Sequence, residues 1–399
     1  MQATVKILPH KVSFPYQCAR APYHFYKKWY GARVRFDKET GKRKVAAGVR
    51  VLLTRVAFTA PPCAYTRGNH MSGNSYGPIR IFGTNSGKAL AEKICPLLSL
   101  TLGQAHIGRF NDGEVEVKIN ENVRGFDVFI VADIHGQADN LMEAILLADA
   151  ARLSSAGRVT YVISKFGYDR SDRKDAPRKP IGVKIAIKML EIAHPDRVIV
   201  LDIHAEQSMA LFDETVHDHL FGSPIATEYL AGLLRGEQFV VASPDRGGVP
   251  RAEKYATLLK KLGVAEHDDI VVFSKRRPAA GEVQNGSVKI LGDVANKAVV
   301  FVDDMIDTGG TMIEDAKAAR AAGAKAIYVF ATHGIFSKNA MERIKESLIT
   351  RVFVTDSIEQ DPKKLRAAGG KVAVLSAAAL LADAIRRTHE GESLSKLIP

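Results

Sequence analysis

Two adjacent carboxylates, Asp303 and Asp304, follow the apolar run Val299-Val300-Phe301-Val302, and Asp307-Thr308-Gly309-Gly310-Thr311 comes shortly after. That order has a chemical use. Backbone N–H groups at a Gly-rich turn that opens a helix favour a phosphate. Two neighbouring carboxylates can accept hydrogen bonds from a pair of sugar hydroxyls. Together they describe a pocket for a ribose 5-phosphate moiety. Thr311 and Glu314 stand at capping-box spacing, so part of the segment is also expected to start a helix.

Such a pocket needs elements to hold it. Apolar runs at 128–132, 159–163, 198–201, 239–242, 270–273, 298–302, 326–331 and 352–355 read as strands, with helix-period stretches such as 140–153 between them. Repeated β–α–β with short Gly punctuation predicts an α/β protein whose mostly parallel sheets are flanked by helices. Two stretches echo each other. The run 129–133 leading to 161–163 is similar to the run 300–304 leading to 328–330, but only the second carries the acid pair and Thr-Gly-Gly-Thr. We infer two related tandem domains, 79–222 and 223–375, of which the second keeps the sugar-phosphate loop. The stretch 380–397 reads as an amphipathic helix within a closing segment, 376–399.

The 399 residues leave room for two or three domains. No apolar run approaches the roughly 20 residues of a membrane span, so no membrane is expected. Cys18, Cys63 and Cys95 are widely spaced and form neither a metal-ligand pattern nor an evident disulfide framework, which favours a reducing cytoplasm. The net charge of +12 invites nucleic acid, but its distribution argues otherwise. Residues 1–70 hold 14 Lys/Arg against Asp37 and Glu39, which leaves 42 residues of each sign in the rest. Three readings of the basic extension to residue 78 compete. A transit peptide would be long and poor in serine; a basic arm would meet nucleic acid or acidic partners; an over-extended start would make Met71 the first residue. The abrupt onset of strand pattern at Ile79 favours the third. Nucleic-acid binding is therefore not expected, except through residues 1–70.

Further motifs share the chain with the acid pair. Asp202-Ile203-His204-Ala205-Glu206-Gln207 follows a strand, Ser243-Pro244-Asp245 follows another, and Lys275-Arg276-Arg277-Pro278 precedes a small-residue stretch that suits a loop. The 299–311 segment resembles the phosphoribosyl pyrophosphate signature of the type I phosphoribosyltransferase fold. From about Ile79 to Ile398 the chain resembles the ribose-phosphate pyrophosphokinases. The motifs above are joined, in that family's order, by Arg109-Phe110-Asn111-Asp112-Gly113-Glu114, Phe166-Gly167-Tyr168, Asp172-Arg173-Lys174 and Ala331-Thr332-His333-Gly334.

The resemblance implies two tandem type I phosphoribosyltransferase-like domains and a reaction. The β,γ-pyrophosphoryl group of ATP passes to the 1-hydroxyl of ribose 5-phosphate, and AMP leaves. It implies Mg²⁺ as cofactor, held mostly by phosphate oxygens and water. Lys275 would be the catalytic cation on the transferring group, assisted by Arg277. His204 and Asp245 would be the metal-associated residues. Phe110, Asp112 and Glu114 would reach the adenosine from a neighbouring subunit, and Arg170, Ser171 and His204 would complete the ATP site. Arg277, Asp303, Asp304 and Asp307 through Thr308, Gly309, Gly310 and Thr311 would hold ribose 5-phosphate. The same resemblance implies a homohexamer with shared ATP sites, and a C-terminal segment packed back on the N-terminal domain.

Five features depart from the family pattern, one of them the stretch 173–178, which looks shorter than in some members. Ser171 replaces the usual Gln, Asp169 a small residue, Arg246 an apolar one, and Asp133-Ile134-His135-Gly136-Gln137 a Gln-Ser-Thr-like loop. Two other functions compete: a phosphoribosyltransferase using the same loop, and a non-catalytic regulatory homologue. The first would need only one such domain. The second would be favoured by loss of Lys275, His204 or the acid pair, all of which are present.

Overall fold

The computed structural model describes residues 76–275 and 288–398. The readings for the basic extension as far as residue 75 and for Arg277 lie outside the described residues, as does the side chain of Lys275. The rest builds two large sheets, each with both faces covered, and a two-stranded hairpin.

The first sheet runs β1 (Ile79–Gly83), β4 (Asp127–Asp133), β5 (Arg158–Lys165), β6 (Arg197–Leu201) and β7 (Val216–Leu220), in that spatial order and all parallel. Every residue of β4 and β5 is buried. A strand buried on both faces reads as a continuous apolar run, not as alternation. Helices α2 (Ala138–Leu153) and α3 (Gly182–Ile192) cover one face. The other is covered by α1 (Lys88–Leu97) and by α9 (Ala378–Glu390), whose Leu381 and Ile385 pack with Leu90, Ile94 and Phe129. Polar contacts add to that docking: Arg158 is bidentate to Asp127 and gives Nη2 to the Thr388 carbonyl at 3.0 Å, and His389 Nδ1 lies 2.8 Å from Asp127.

The second sheet runs β10 (Val288–Leu291), β9 (Ile270–Lys275), β8 (Phe239–Ser243), β11 (Ala298–Ile306), β12 (Ala326–Gly334), β13 (Arg351–Thr355) and β14 (Val372–Leu375). Of these described strands only β10 is antiparallel to its neighbour. Helices α4 (Ser223–Leu233) and α5 (Val249–Lys261) pack on one face. On the other lie α6 (Gly310–Ala321), α7 (Ala340–Glu346) and α8 (Pro362–Ala367). The two stretches that echo each other in sequence are both parallel β–α–β units, β4–α2–β5 and β11–α6–β12.

Three details differ from the sequence reading. β11 extends past the apolar run to Ile306, so Asp303 and Asp304 sit inside the strand. The stretch 380–397 is not one helix. α9 ends at Gly391, a left-handed stop at φ 72° that glycine takes without a Cβ clash, and a short 3₁₀ turn occupies Leu394–Leu397. The hairpin β2 (Ala105–Arg109) with β3 (Val115–Ile119) had no apolar run to announce it; both strands are half-exposed.

Candidate functional site

Ligands of open parallel sheets gather outside the carboxyl ends of the strands, and here two such ends face each other. Beyond β6 the chain turns at Asp202, whose φ of 46° is a left-handed value that Asp tolerates better than most residues. Its buried carboxylate accepts the Thr332 hydroxyl and the Gly222 N–H, which fixes that turn. Two residues on, His204 Nδ1 lies 2.7 Å from Oδ2 of Asp304 in β11. This hydrogen bond raises the His204 pKa above its ordinary value, against the effect of burial.

Arg251, in the first turn of α5, joins the same cluster. Its Nη1 is 3.2 Å from Asp304 and 3.4 Å from Asp303, and its Nη2 is 3.6 Å from Asp202. Burial disfavours the cation, but Asp202, Asp304 and Asp303 outweigh it and hold the guanidinium charged. The two acids respond oppositely. Burial opposes ionisation of Asp304, yet the His204 hydrogen bond and Arg251 keep it below the carboxylate range. Burial and the Asp304 charge push Asp303 well above that range.

Behind this cluster His333 is fully buried, with Nε2 donating to the Asp202 carbonyl at 3.0 Å and Nδ1 2.8 Å from the Ser357 hydroxyl. Burial first, then the Lys165 charge, lowers its pKa from 6.5 to about 3. The folded ring stays neutral where the unfolded one takes a proton. Its contribution to stability is thus complete above pH 6.5 and is lost progressively as pH falls toward 3. Relative to wild type, His333→Gln is expected to flatten the fall in unfolding free energy across that window by up to about 1.4 kcal/mol per pH unit, one proton's worth. Urea melts at a series of pH values measure it; parallel slopes in the two proteins would contradict the assignment.

The loop after β11 is tied at several points. Asp307 accepts from the Ser337 hydroxyl and from Arg170 Nη1 at 2.7 Å, and both, Ser337 first, depress its pKa. Arg343 donates to the Thr308 carbonyl at 3.0 Å. Gly309 adopts φ 69° and caps α6, which begins at Gly310. The capping-box reading is therefore corrected: Thr311 lies inside the first turn, and Glu314 pairs with Lys317 at 3.0 Å. What opens the helix is the glycine's left-handed conformation.

Two cavities meet over this arrangement. One, of about 450 Å³, is lined by the 303–312 segment. The other, of about 760 Å³, is lined by Ser171, Arg173, Lys179 and Gln207 among others. Arg170, His204, Asp245, Asp303 and Asp304 line both. The Ser171 hydroxyl is occupied in closing its own loop, accepting the Gly182 N–H at 3.0 Å. Asp245 is exposed, with Oδ1 taking the Gly248 N–H at 2.8 Å. Phe110, Asp112 and Glu114 sit at the β2–β3 hairpin tip, exposed, and line neither cavity. Lys275 ends β9 opposite Val288.

Among the described residues no three His, Cys, Asp or Glu side chains converge as a metal cage. The donors at the cavity junction still suit a hard cation that keeps most of its shell on water and phosphate. Sequence reasoning missed Arg251 and Asp202. A signal existed: an arginine in the first turn of a helix opposes the helix dipole, so Arg251, which follows Gly247-Gly248-Val249-Pro250, needs carboxylates in front of it.

Two family models match the chain: the N-terminal domain of ribose phosphate pyrophosphokinase over residues 79–193, and the phosphoribosyl synthetase-associated domain over residues 240–399. A ribose-phosphate pyrophosphokinase of Vibrio parahaemolyticus is 45% identical over 324 residues, which is 80% of this chain and 98% of that protein. The one from Clostridium tetani is 42% identical, covering 80% and 97%. Among solved structures, phosphoribosylpyrophosphate synthetase from Mycobacterium smegmatis matches with TM-score 0.71 and 31% identity, over 79% of this chain and 100% of that one.

Proposed function

This chain belongs to the ribose-phosphate pyrophosphokinase family, and on that premise we propose that the two joined cavities are where its substrates meet. It transfers the pyrophosphoryl group of ATP to the 1-hydroxyl of ribose 5-phosphate, giving phosphoribosyl pyrophosphate and AMP. The observation that carries the placement is the shared lining. ATP would occupy the larger cavity and ribose 5-phosphate the smaller, so the transferred group passes the five residues common to both.

In the smaller cavity the 5-phosphate would lie at the start of α6, wrapped by Asp307 through Thr311, and Asp303 and Asp304 would accept from the sugar hydroxyls. In the larger, Arg170 and His204 would meet the polyphosphate, while Lys275 and Arg277 would neutralise the transferring group. Charge spreads over phosphoryl oxygens in such transfers, so prearranged cations supply most of the catalysis. Asp245 and His204 would help to hold Mg²⁺, which would supply further charge neutralisation. Phe110, Asp112 and Glu114 would serve the adenosine of a neighbouring subunit in a homohexamer, which light scattering would check. No described helix is long and apolar enough to cross a membrane, and a cytoplasmic location fits a chain whose three cysteines show no disulfide spacing.

The test is AMP release from ATP by the full chain in Mg²⁺, with and without ribose 5-phosphate. AMP is expected only with the sugar phosphate. His204→Ala is expected to lower kcat by about 100-fold, as loss of one prearranged donor to developing charge does. Sugar-independent AMP, or an unimpaired His204→Ala, would overturn the placement.

A further inference from the structure

The residue behind His204 is a departure from the family pattern, and the structure gives that departure a partner. Asp169 and Lys165 are each only 2% exposed. Lys165, the last residue of β5, donates Nζ to Asp169 Oδ2. The same carboxylate oxygen accepts the backbone N–H of His204 at 3.2 Å. Neither residue lines either cavity, so the pair stands beneath the site. Asp169 directly precedes Arg170, which does line both and reaches Asp307. One ion pair thus ties together the loop after β5 and the loop after β6.

The loop after β5 is tightly held. Tyr168 adopts a left-handed φ of 61°, and a Cβ on Gly167 would come within 2.2 Å of the Ile134 carbonyl oxygen. A buried ion pair is weak grounds for stability, because well-packed neutral residues commonly replace it without loss. Its position suggests another role. The ammonium orients the carboxylate, and the carboxylate fixes the backbone from which His204 reaches Asp304.

We propose that Asp169, oriented by Lys165, is a positioning residue that sets the His204 imidazole against the transferring group. The proposal rests on the reading that His204 meets the polyphosphate. It acts through the acceptor oxygen offered to the His204 N–H, not through the charge that Lys165 neutralises.

Two double variants of the full chain separate acceptor from charge. Both remove the ion pair, but Lys165→Met/Asp169→Asn keeps an amide oxygen for the His204 N–H, and Lys165→Met/Asp169→Ala does not. The Asn double is expected to hold kcat within about threefold of wild type, while the Ala double loses about tenfold or more, the cost of a misplaced group. The KM for ribose 5-phosphate should be unchanged in both. If the Ala double melts well below the Asn double, Lys165→Gln/Asp169→Ala, with an amide filling the space, is read in its place. Equal kcat in the two doubles, high or low, overturns the positioning role. His204→Ala, run beside them, keeps the readings apart: an impaired His204→Ala leaves the site assignment standing, and an unimpaired one removes it and this proposal together.

Discussion

Arg251→Met is expected to destabilise the chain by about 2–3 kcal/mol, less than the roughly 3–5 kcal/mol of a fully buried pair because the side chains of Arg251 and Asp303 stay 20% and 26% exposed. Three carboxylates, Asp202, Asp303 and Asp304, share that guanidinium. Methionine preserves much of the volume, so the loss measures charge more than packing. Part of it can be recovered by protonation, because Asp303 already has a raised pKa. Arg251→Met/Asp303→Asn should therefore be more stable than Arg251→Met alone, although still impaired in AMP formation. Lysine is a poor substitute, since one ammonium cannot present the guanidinium's fork to several acids. Urea melts of the three variants test the account. An Arg251→Met protein as stable as wild type would show that the acids do not depend on this cation.

Lys275→Ala carries the second large effect. We expect kcat to fall by about 1,000-fold, the upper range for loss of a single group aimed at developing charge. The thermal midpoint should move little, because the backbone pairing of Lys275 with Val288 at the end of β9 is independent of its side chain. Single-turnover AMP formation with saturating ATP and ribose 5-phosphate reads the chemical step directly. A loss below about fivefold would transfer the neutralising role to His204, Arg170 and the bound cation, and would leave the Lys-Arg-Arg motif without a catalytic part.

The central strands were legible because burial on both faces demands uninterrupted apolar residues, as in β4, β5 and the first part of β11. Strands β7, β10 and β14 lie at sheet edges, where no such demand exists; β7 reads Val-His-Asp-His-Leu. The site divides along a similar line. Asp303 through Thr311 are contiguous, so one stretch of sequence displays them together. Arg251 reaches the same acids from another helix, and Asp169, paired with Lys165 at the end of β5, reaches the His204 N–H from the loop that follows; no local pattern records a partner so distant in the chain. The Thr311 and Glu314 spacing misled for a related reason: the capping box is a local rule, and a left-handed Gly309 had already opened the helix two residues earlier.

The docking of α9 on the first sheet has a consequence for how the protein comes into being. The face it covers carries Ile81, Phe129, Val131 and Val162, all fully buried, yet the covering helix is encoded after the whole second sheet. On the ribosome that face has only α1 over it while the whole second sheet is made. The first sheet is therefore covered last, and its maturation is bound to that of the second. An apolar sheet face left waiting in this way invites wrong partners, and the Asp127–Arg158–His389 contacts act as the clasp that ends the wait.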